Sequence, residues 1–535
     1  MKSNSTEHPR VYSPPVLILG LLLGIFGAII GLELIVRVGV NPNTSIIGAL
    51  IAIALSYLPF AKVFRNVHSV NLMQTVISGA TFQAGNVLLL TIAIPYLLGG
   101  TTADFLVPVF IGLVYAGLVD LILAYKIFDS PFYPARNPWP IGVSTAEAIK
   151  AAIGRGKKAL LLLYGMIFGG ALTYLGYPGD IVGITLITQI FAITAFGIGL
   201  LLRAYGPTYL GVDLYKLYAP QGIMVGAGVA ALIQFLLLWT KIRKKPSTTS
   251  SETSTTPPTL VGPSEAVRWL LIAYLLWTLG AFPLAFFVGS YTGMSVGQTV
   301  VWALYYGFWA WFTTLICAIS GMYAGWFPAF ATALASLVIG LLLGFPPLAH
   351  GVGVGYVAAT GPGMADFSYD LKTGWILRGE GKDPKFERVG RWWQFWAKIL
   401  AFAVSITMVL LFHSAYFNVL NLYPPASKTL AATAKAAADP ELARWLLTWA
   451  PVGFILQIVG GPERQLGILL ATGLMILNPA AGVAVIVTVI ARIVLLKIYG
   501  PEKLRDLFYV GGAGAVGGSA IVSFVVYTLR AFLRI

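Results

Sequence analysis

Apolar residues arrive along this chain in long runs, not in the alternating or one-sided patterns of a water-soluble domain. Such runs cover 15–38, 44–61, 82–99, 104–125, 159–178, 182–202 and 222–240, and they resume over 267–289, 295–345, 347–360, 393–413, 445–460, 465–498 and 509–530. A helix crosses the bilayer core with roughly 20 apolar residues, so these runs predict membrane-spanning α-helices. The strands of an outer-membrane barrel alternate every second residue and are excluded. Between the two series lies KIRKKPSTTSSETSTTPPTLVGPSE, starting at Lys241. Ser, Thr and Pro dominate it, so it cannot bury a core and reads as a flexible linker. The predicted organisation is a tail over 1–14, a first membrane repeat over 15–240, a linker over 241–266 and a second membrane repeat over 267–535.

Three pairs of motifs recur in the same order in the two halves. Arg203-Ala204-Tyr205-Gly206-Pro207 precedes a Gly-rich run from Gly222 to Gly228, and Lys497-Ile498-Tyr499-Gly500-Pro501 precedes another from Gly511 to Gly518. Asn137-Pro138-Trp139-Pro140, leading to Thr145 and Lys150-Ala151-Ala152, is matched by Asn421-Leu422-Tyr423-Pro424, leading to Thr429 and Lys435-Ala436-Ala437. Gln74-Thr75 pairs more weakly with Lys372-Thr373. Internal repeats are common in secondary transporters, which bind their solute at the repeat interface near the bilayer midplane. Basic residues flank both Tyr-Gly-Pro motifs, which favours parallel repeats with an even number of crossings in each. The first half shows seven clear runs, so 66–80 or 138–152 must supply an eighth span or a re-entrant segment.

Composition sharpens this picture. Hydrophobic residues make up 58% of the 535 and charged residues only 10%, against about a quarter charged in a soluble domain. Such a chain needs lipid as its solvent. The formal charge of +15 fits Lys and Arg in cytoplasmic loops and does not call for nucleic acid. The single cysteine, Cys317, lies in an apolar run, so neither an intrachain disulfide nor a cysteine metal site is expected. The first run, from Val16 to Val38, is too long for a cleaved leader and reads as a retained span.

Candidate chemistry sits where the apolar runs break. In Asn66–Asn86, the polar residues Asn71, Gln74, Thr75 and Ser78 fall three and four apart on one helical face. Gly79, Ala80 and Gly85 allow close packing. This is either a packing helix or surface loop, or part of a substrate cavity, since polar backbone at membrane depth must be buried or line a cavity. In the second half, Gly351–Arg378 is broken by glycines and Pro362, and Asp366, Asp370, Lys372 and Thr373 follow. Asp370 has Lys372 close by in sequence. In Pro138–Lys150, Ser144 and Glu147 are spaced as a capping box; if the segment dips into the membrane, Glu147 becomes a proton carrier instead. Glu33 and Arg37 share a face of the first span as an i,i+4 ion pair. The sequence contains no phosphate-binding loop and no HExxH helix. No catalytic residue, cofactor or metal ligand set is expected, and the chain does not read as an enzyme. His8, His68, His350 and His413 are scattered.

These segments resemble the oligopeptide transporter family, which includes the yellow stripe-like metal-chelate transporters. Asn71-Leu72-Met73-Gln74-Thr75-Val76-Ile77-Ser78-Gly79-Ala80 is similar to the family's E-N-N-x-x-Q-T-x-A-S-A stretch. Trp139-Pro140 through Thr145-Ala146-Glu147 to Lys150-Ala151 looks like its F-P-x-G-x-A-x-A-E-x-L-K-A stretch, and Asp370-Leu371-Lys372-Thr373-Gly374-Trp375 like its D-L-K-T-G-Y motif. The sequence departs from the pattern at Ser69, where the family has an acidic residue, at Val70, and at Gly79. The resemblance implies an all-α polytopic protein of the plasma membrane, with about sixteen spans in two tandem repeats and broken or re-entrant segments. It implies proton-coupled uptake of small oligopeptides or peptide-like metal chelates. Asn71, Gln74, Thr75, Ser78, Asp370, Lys372 and Thr373 are then the substrate-cavity candidates, with Glu147 ahead of Asp370 for proton coupling. The partners are the lipid bilayer, the solute and a coupling H+, and a homo-oligomer is compatible with this reading. The alternative is a passive channel for a small solute.

Overall fold

A computed structural model describes residues 7–37, 39, 44–56, 58–154, 156–244, 259–435 and 440–533. The middle of the expected linker and the start of the expected tail lie outside the described residues. Among the described residues the protein is helical, without a strand. Ten helices among the described residues are long and apolar enough to cross a membrane: Pro14–Arg37, Val67–Leu97, Ala103–Ile127, Ile190–Tyr209, Pro263–Thr292, Val296–Ala324, Pro384–Val419, Glu441–Arg464, Pro479–Tyr499 and Pro501–Val526. Shorter apolar helices include Ser45–Leu55, Ala329–Leu341 and Leu466–Met475.

The helix ends follow local chemistry. Asn66 caps Val67–Phe82 by accepting the His68 amide at 2.9 Å. Asp383 accepts two amides at the start of Pro384–Ser414. Ser295 and Gln298 form a reciprocal capping box, and that helix ends on the left-handed Gly325. Such contacts satisfy amides that a helix leaves unpaired at its start.

Several runs that read as continuous in sequence are broken. Residues 182–202 divide between Gly179–Ile187 and Ile190–Tyr209, with Gln189 capping the second piece. The 295–345 run divides before Ala329–Leu341, and the 465–498 run divides between Leu466–Met475 and Pro479–Tyr499. At the break already read from the glycines and Pro362, Pro347–Ala358 stops short of Pro362–Leu377, with Gly361 at φ +95° between them. Apolarity alone does not reveal such breaks, because their freed backbone groups are satisfied inside the protein.

The two membrane halves interlock. Ala219–Lys244 runs along Pro440–Arg464, and Gly512–Leu533 along Lys157–Tyr174. Both crossings use the Gly-rich runs. A Cβ on Gly226 would lie 1.7 Å from the Ala450 carbonyl oxygen, and one on Gly453 2.0 Å from that of Ile223. In the other crossing, a Cβ on Gly518 would lie 1.9 Å from the Met166 oxygen. Small residues let backbones touch where lipid offers no hydrophobic drive for helix pairing.

Ser144 does not cap a helix. Pro140–Gly154 has already begun by then, and the Ser144 hydroxyl donates to the Tyr509 carbonyl at 2.8 Å. Proline at the first helical position sets φ for the turn and so moves the start upstream.

Candidate functional site

The polar face of Val67–Phe82 is turned entirely inward: Asn71, Gln74, Thr75 and Ser78 are each 0% exposed. It meets the broken second-half segment. Asp366 and Asp370, one helical turn apart on Pro362–Leu377, face Lys398 from Pro384–Ser414. The Lys398 ammonium pairs with Asp366 and, at 2.7 Å, with Asp370. Ser78 Oγ donates to the other Asp366 oxygen at 2.6 Å. All three charged groups are buried, with Lys398 among the largest fully buried side chains. Among the described residues, Asp370 Oδ1, Gln74 Oε1 and Asn71 Nδ2 have no hydrogen-bond partner. A lysine stem fits here because Gly79 lacks a side chain: a Cβ there would lie 2.8 Å from Lys398 Cδ.

A second buried layer continues from this one. Arg378 donates twice to Glu387, at 2.7 and 2.8 Å, and once to Gln394 Oε1 at 2.7 Å. Gln394 in turn donates to the Asp370 carbonyl at 2.7 Å and to Thr75 Oγ1 at 3.3 Å. Gly374 and Gly390 leave room for the guanidinium, since a Cβ on either would fall within 2.3 Å of an Arg378 side-chain atom. Every charge in the two layers thus has a partner of opposite sign, which buried ions require.

A family model described as OPT oligopeptide transporter protein matches residues 12–235 and 208–530. The chain belongs to the oligopeptide transporter family. No curated protein matches it. With its helical spans, family membership makes this a multi-pass membrane protein and a transporter of oligopeptides.

The transporter places its remaining sequence candidates elsewhere. Lys372 does not pair with Asp370; its ammonium donates to the Ala135 and Asn137 carbonyls at 2.6 and 3.1 Å and lies over Trp375. Two residues along a helix point to different faces, so sequence proximity misleads here. Thr373 donates to the Gly142 carbonyl at 3.0 Å, tying the same helix to Pro140–Gly154. Glu33 pairs with Arg37 as expected and also accepts from Tyr416 at 2.8 Å. Glu147 is paired with Lys150 at 3.1 Å, its side chain 16% exposed. Replacing Glu147 with glutamine is therefore expected to leave peptide uptake within about twofold of wild type, because a partly exposed pair contributes little. Initial uptake rates in liposomes check this.

Sequence reasoning missed five members of the transporter's buried network. Lys398 and Gln394 lie in or beside an apolar run, four apart on one helix face. A lone lysine in a span is itself a signal, since ionisable residues within membrane helices are costly and face the protein interior. Asp120, midway along Ala103–Ile127, was also missed. It accepts from Thr314 at 2.8 Å and from the Gly361 and Met364 amides at 3.0 and 2.7 Å. A first-half carboxylate thereby caps the second-half helix that carries Asp366 and Asp370. The Arg378–Glu387 pair is the last, nine positions apart and not legible from spacing.

Ahead of the first span, His8 is buried with its ring 5.2 Å from that of His68 and 5.6 Å from that of Phe386. Burial, and then the nearby Arg378 charge, lower its pKa from 6.5 to about 3. The folded value lies below the unfolded one, so docking of this segment has full strength above pH 6.5 and weakens as pH falls from there towards 3. Hydrogen exchange of residues 8–13, corrected for intrinsic rates, is expected to show more protection at pH 7.5 than at pH 4.5.

Proposed function

We propose that this transporter couples oligopeptide movement to protons through the Asp366–Lys398–Asp370 cluster. The observation that carries the reading is the charge count: two buried carboxylates share one buried ammonium. With all three ionised the site holds one net negative charge away from water, where an uncompensated charge is costly. A proton or other small cation neutralises it, and its arrival or departure changes which groups Lys398 and Ser78 can hold. Asp370, with a free oxygen, is a better candidate than Glu147, whose partner is a surface lysine. The unpaired atoms of Asn71, Gln74 and Asp370 suit the amides and termini of a short peptide, which keeps the polar face of Val67–Phe82 as the substrate-facing wall. A peptide-like metal chelate would present similar groups.

The two halves fit parallel repeats within this proposal. Reciprocal packing of the last helix of each half on the other half supports it, because a two-fold axis along the membrane normal produces paired crossings of this kind. A plasma-membrane location would supply the proton gradient.

Reconstitution into liposomes with an imposed pH gradient tests the function, using a panel of di- to pentapeptides and their metal chelates. Saturable uptake that follows the gradient is expected. Flux that neither saturates nor responds to the gradient would favour a channel.

A further inference from the structure

We propose that this protein binds the phosphate headgroup of an anionic phospholipid in a basic recess at one end of its helix bundle, apart from the buried cluster. The recess has a volume of about 150 Å³ and is lined by Tyr125, Lys126, Glu265, Arg388 and Arg391, with backbone at 260–261. Three span ends converge there: the finish of Ala103–Ile127 and the starts of Pro263–Thr292 and Pro384–Val419. The ends of spans lie at headgroup depth.

Three cations face one carboxylate in this recess. The nearby Asp129, whose oxygens accept from the Ala135 and Leu260 amides at 3.1 and 3.0 Å, keeps its negative charge, so the three cations stand against two carboxylates and the recess stays net positive. Arg391 is 4% exposed. One of its terminal nitrogens donates to the Tyr125 and Phe128 carbonyls at 2.7 and 2.9 Å, while its Nε has no partner among the described residues. That buried, underused guanidinium sets the back of the recess. Lys126 lies over the Trp269 ring at 4.7 Å, which holds its charge near the opening. Arg388 is exposed and reaches the Leu260 carbonyl only at 3.5 Å. Trp392 and Trp396, on the same helix as Arg388 and Arg391, are 42% and 43% exposed. Exposed tryptophans beside basic residues mark the membrane interface, where anionic headgroups collect. A phosphodiester matches the recess in charge and in the fork geometry of arginine. A lipid supplies that group together with acyl chains that run along the apolar span surfaces below.

The test is thermal unfolding of the detergent-purified protein with added phosphatidylglycerol, phosphatidylcholine or inorganic phosphate. Phosphatidylglycerol is expected to raise the midpoint in a saturable way, with phosphatidylcholine and inorganic phosphate giving no comparable shift. The Lys126→Gln, Arg388→Gln double variant is expected to weaken the apparent affinity for phosphatidylglycerol roughly ten- to thirtyfold. Glu265→Gln is expected to strengthen it, and this opposite response stands even if the double variant folds poorly. Equal shifts from both lipids, or unchanged affinity in both variants, would overturn the proposal. A full shift from inorganic phosphate alone would overturn the lipid assignment in favour of a free anion.

Discussion

Replacing Lys398 with methionine is expected to abolish gradient-driven uptake and to destabilise the protein by about 3–5 kcal/mol, the cost of breaking a buried ion pair from one side. Lys398 is the shared cation of Asp366 and Asp370, and none of the three touches solvent. Methionine fills a similar volume without the charge, so the loss is electrostatic and not a packing defect. The two carboxylates then face each other across a buried site with Ser78 alone to donate to Asp366. Combining Lys398→Met with Asp366→Asn and Asp370→Asn removes every charge of the cluster. Most of the lost stability should return in that triple variant, while uptake should not. Unfolding midpoints in detergent and liposome uptake separate the two effects. Full uptake in Lys398→Met would remove the cluster from the mechanism.

The second large effect lies in the helix crossings. Gly226→Val is expected to prevent assembly of a monodisperse protein, because the new side chain meets backbone and not a movable side chain. The Ala450 oxygen lies 1.7 Å from the position of a Cβ at Gly226. Overpacking a side-chain core typically costs about 1–3 kcal/mol; here two helix backbones must separate, and the crossing that joins the halves goes with them. Gly154, with nothing within 4 Å of an added Cβ, provides the comparison: Gly154→Ala should purify as wild type. Size-exclusion profiles of the two variants report the difference. A monodisperse Gly226→Val protein would show that the halves do not depend on this contact.

Much of this architecture was legible in the apolar runs. The helical membrane class follows from their length, and the Gly-rich runs at 222–228 and 511–518 are placed where the helices cross. Apart from the one at Pro362, the breaks within runs were not legible. A re-entrant or divided helix is as apolar as a continuous one, and its free amides find partners distant in sequence, as Gly361 and Met364 do in Asp120. For the site, the one-sided polar pattern of Asn71, Gln74, Thr75 and Ser78 left a surface loop, a packing helix and a cavity wall open; the structure buries that face, and its Ser78 meets Asp366. Lys372, the basic neighbour of Asp370 in sequence, turns to another face, and the cation that pairs with Asp370 comes from the opposing helix, which spacing does not reveal. Gly79, which departs from the family pattern, has a physical reason here: it makes room for the Lys398 stem.

The most direct test of the coupling account is the Asp370→Asn variant in liposomes, measured for peptide accumulation under a pH gradient and for peptide exchange without one. The probe is a radiolabelled member of whichever peptide class wild type accumulates. The account predicts that accumulation is lost while exchange persists, since the fixed neutral side chain no longer needs a proton to balance Lys398 and Asp366. Wild-type accumulation that still follows the pH gradient in Asp370→Asn, and equally in Asp366→Asn, would contradict it.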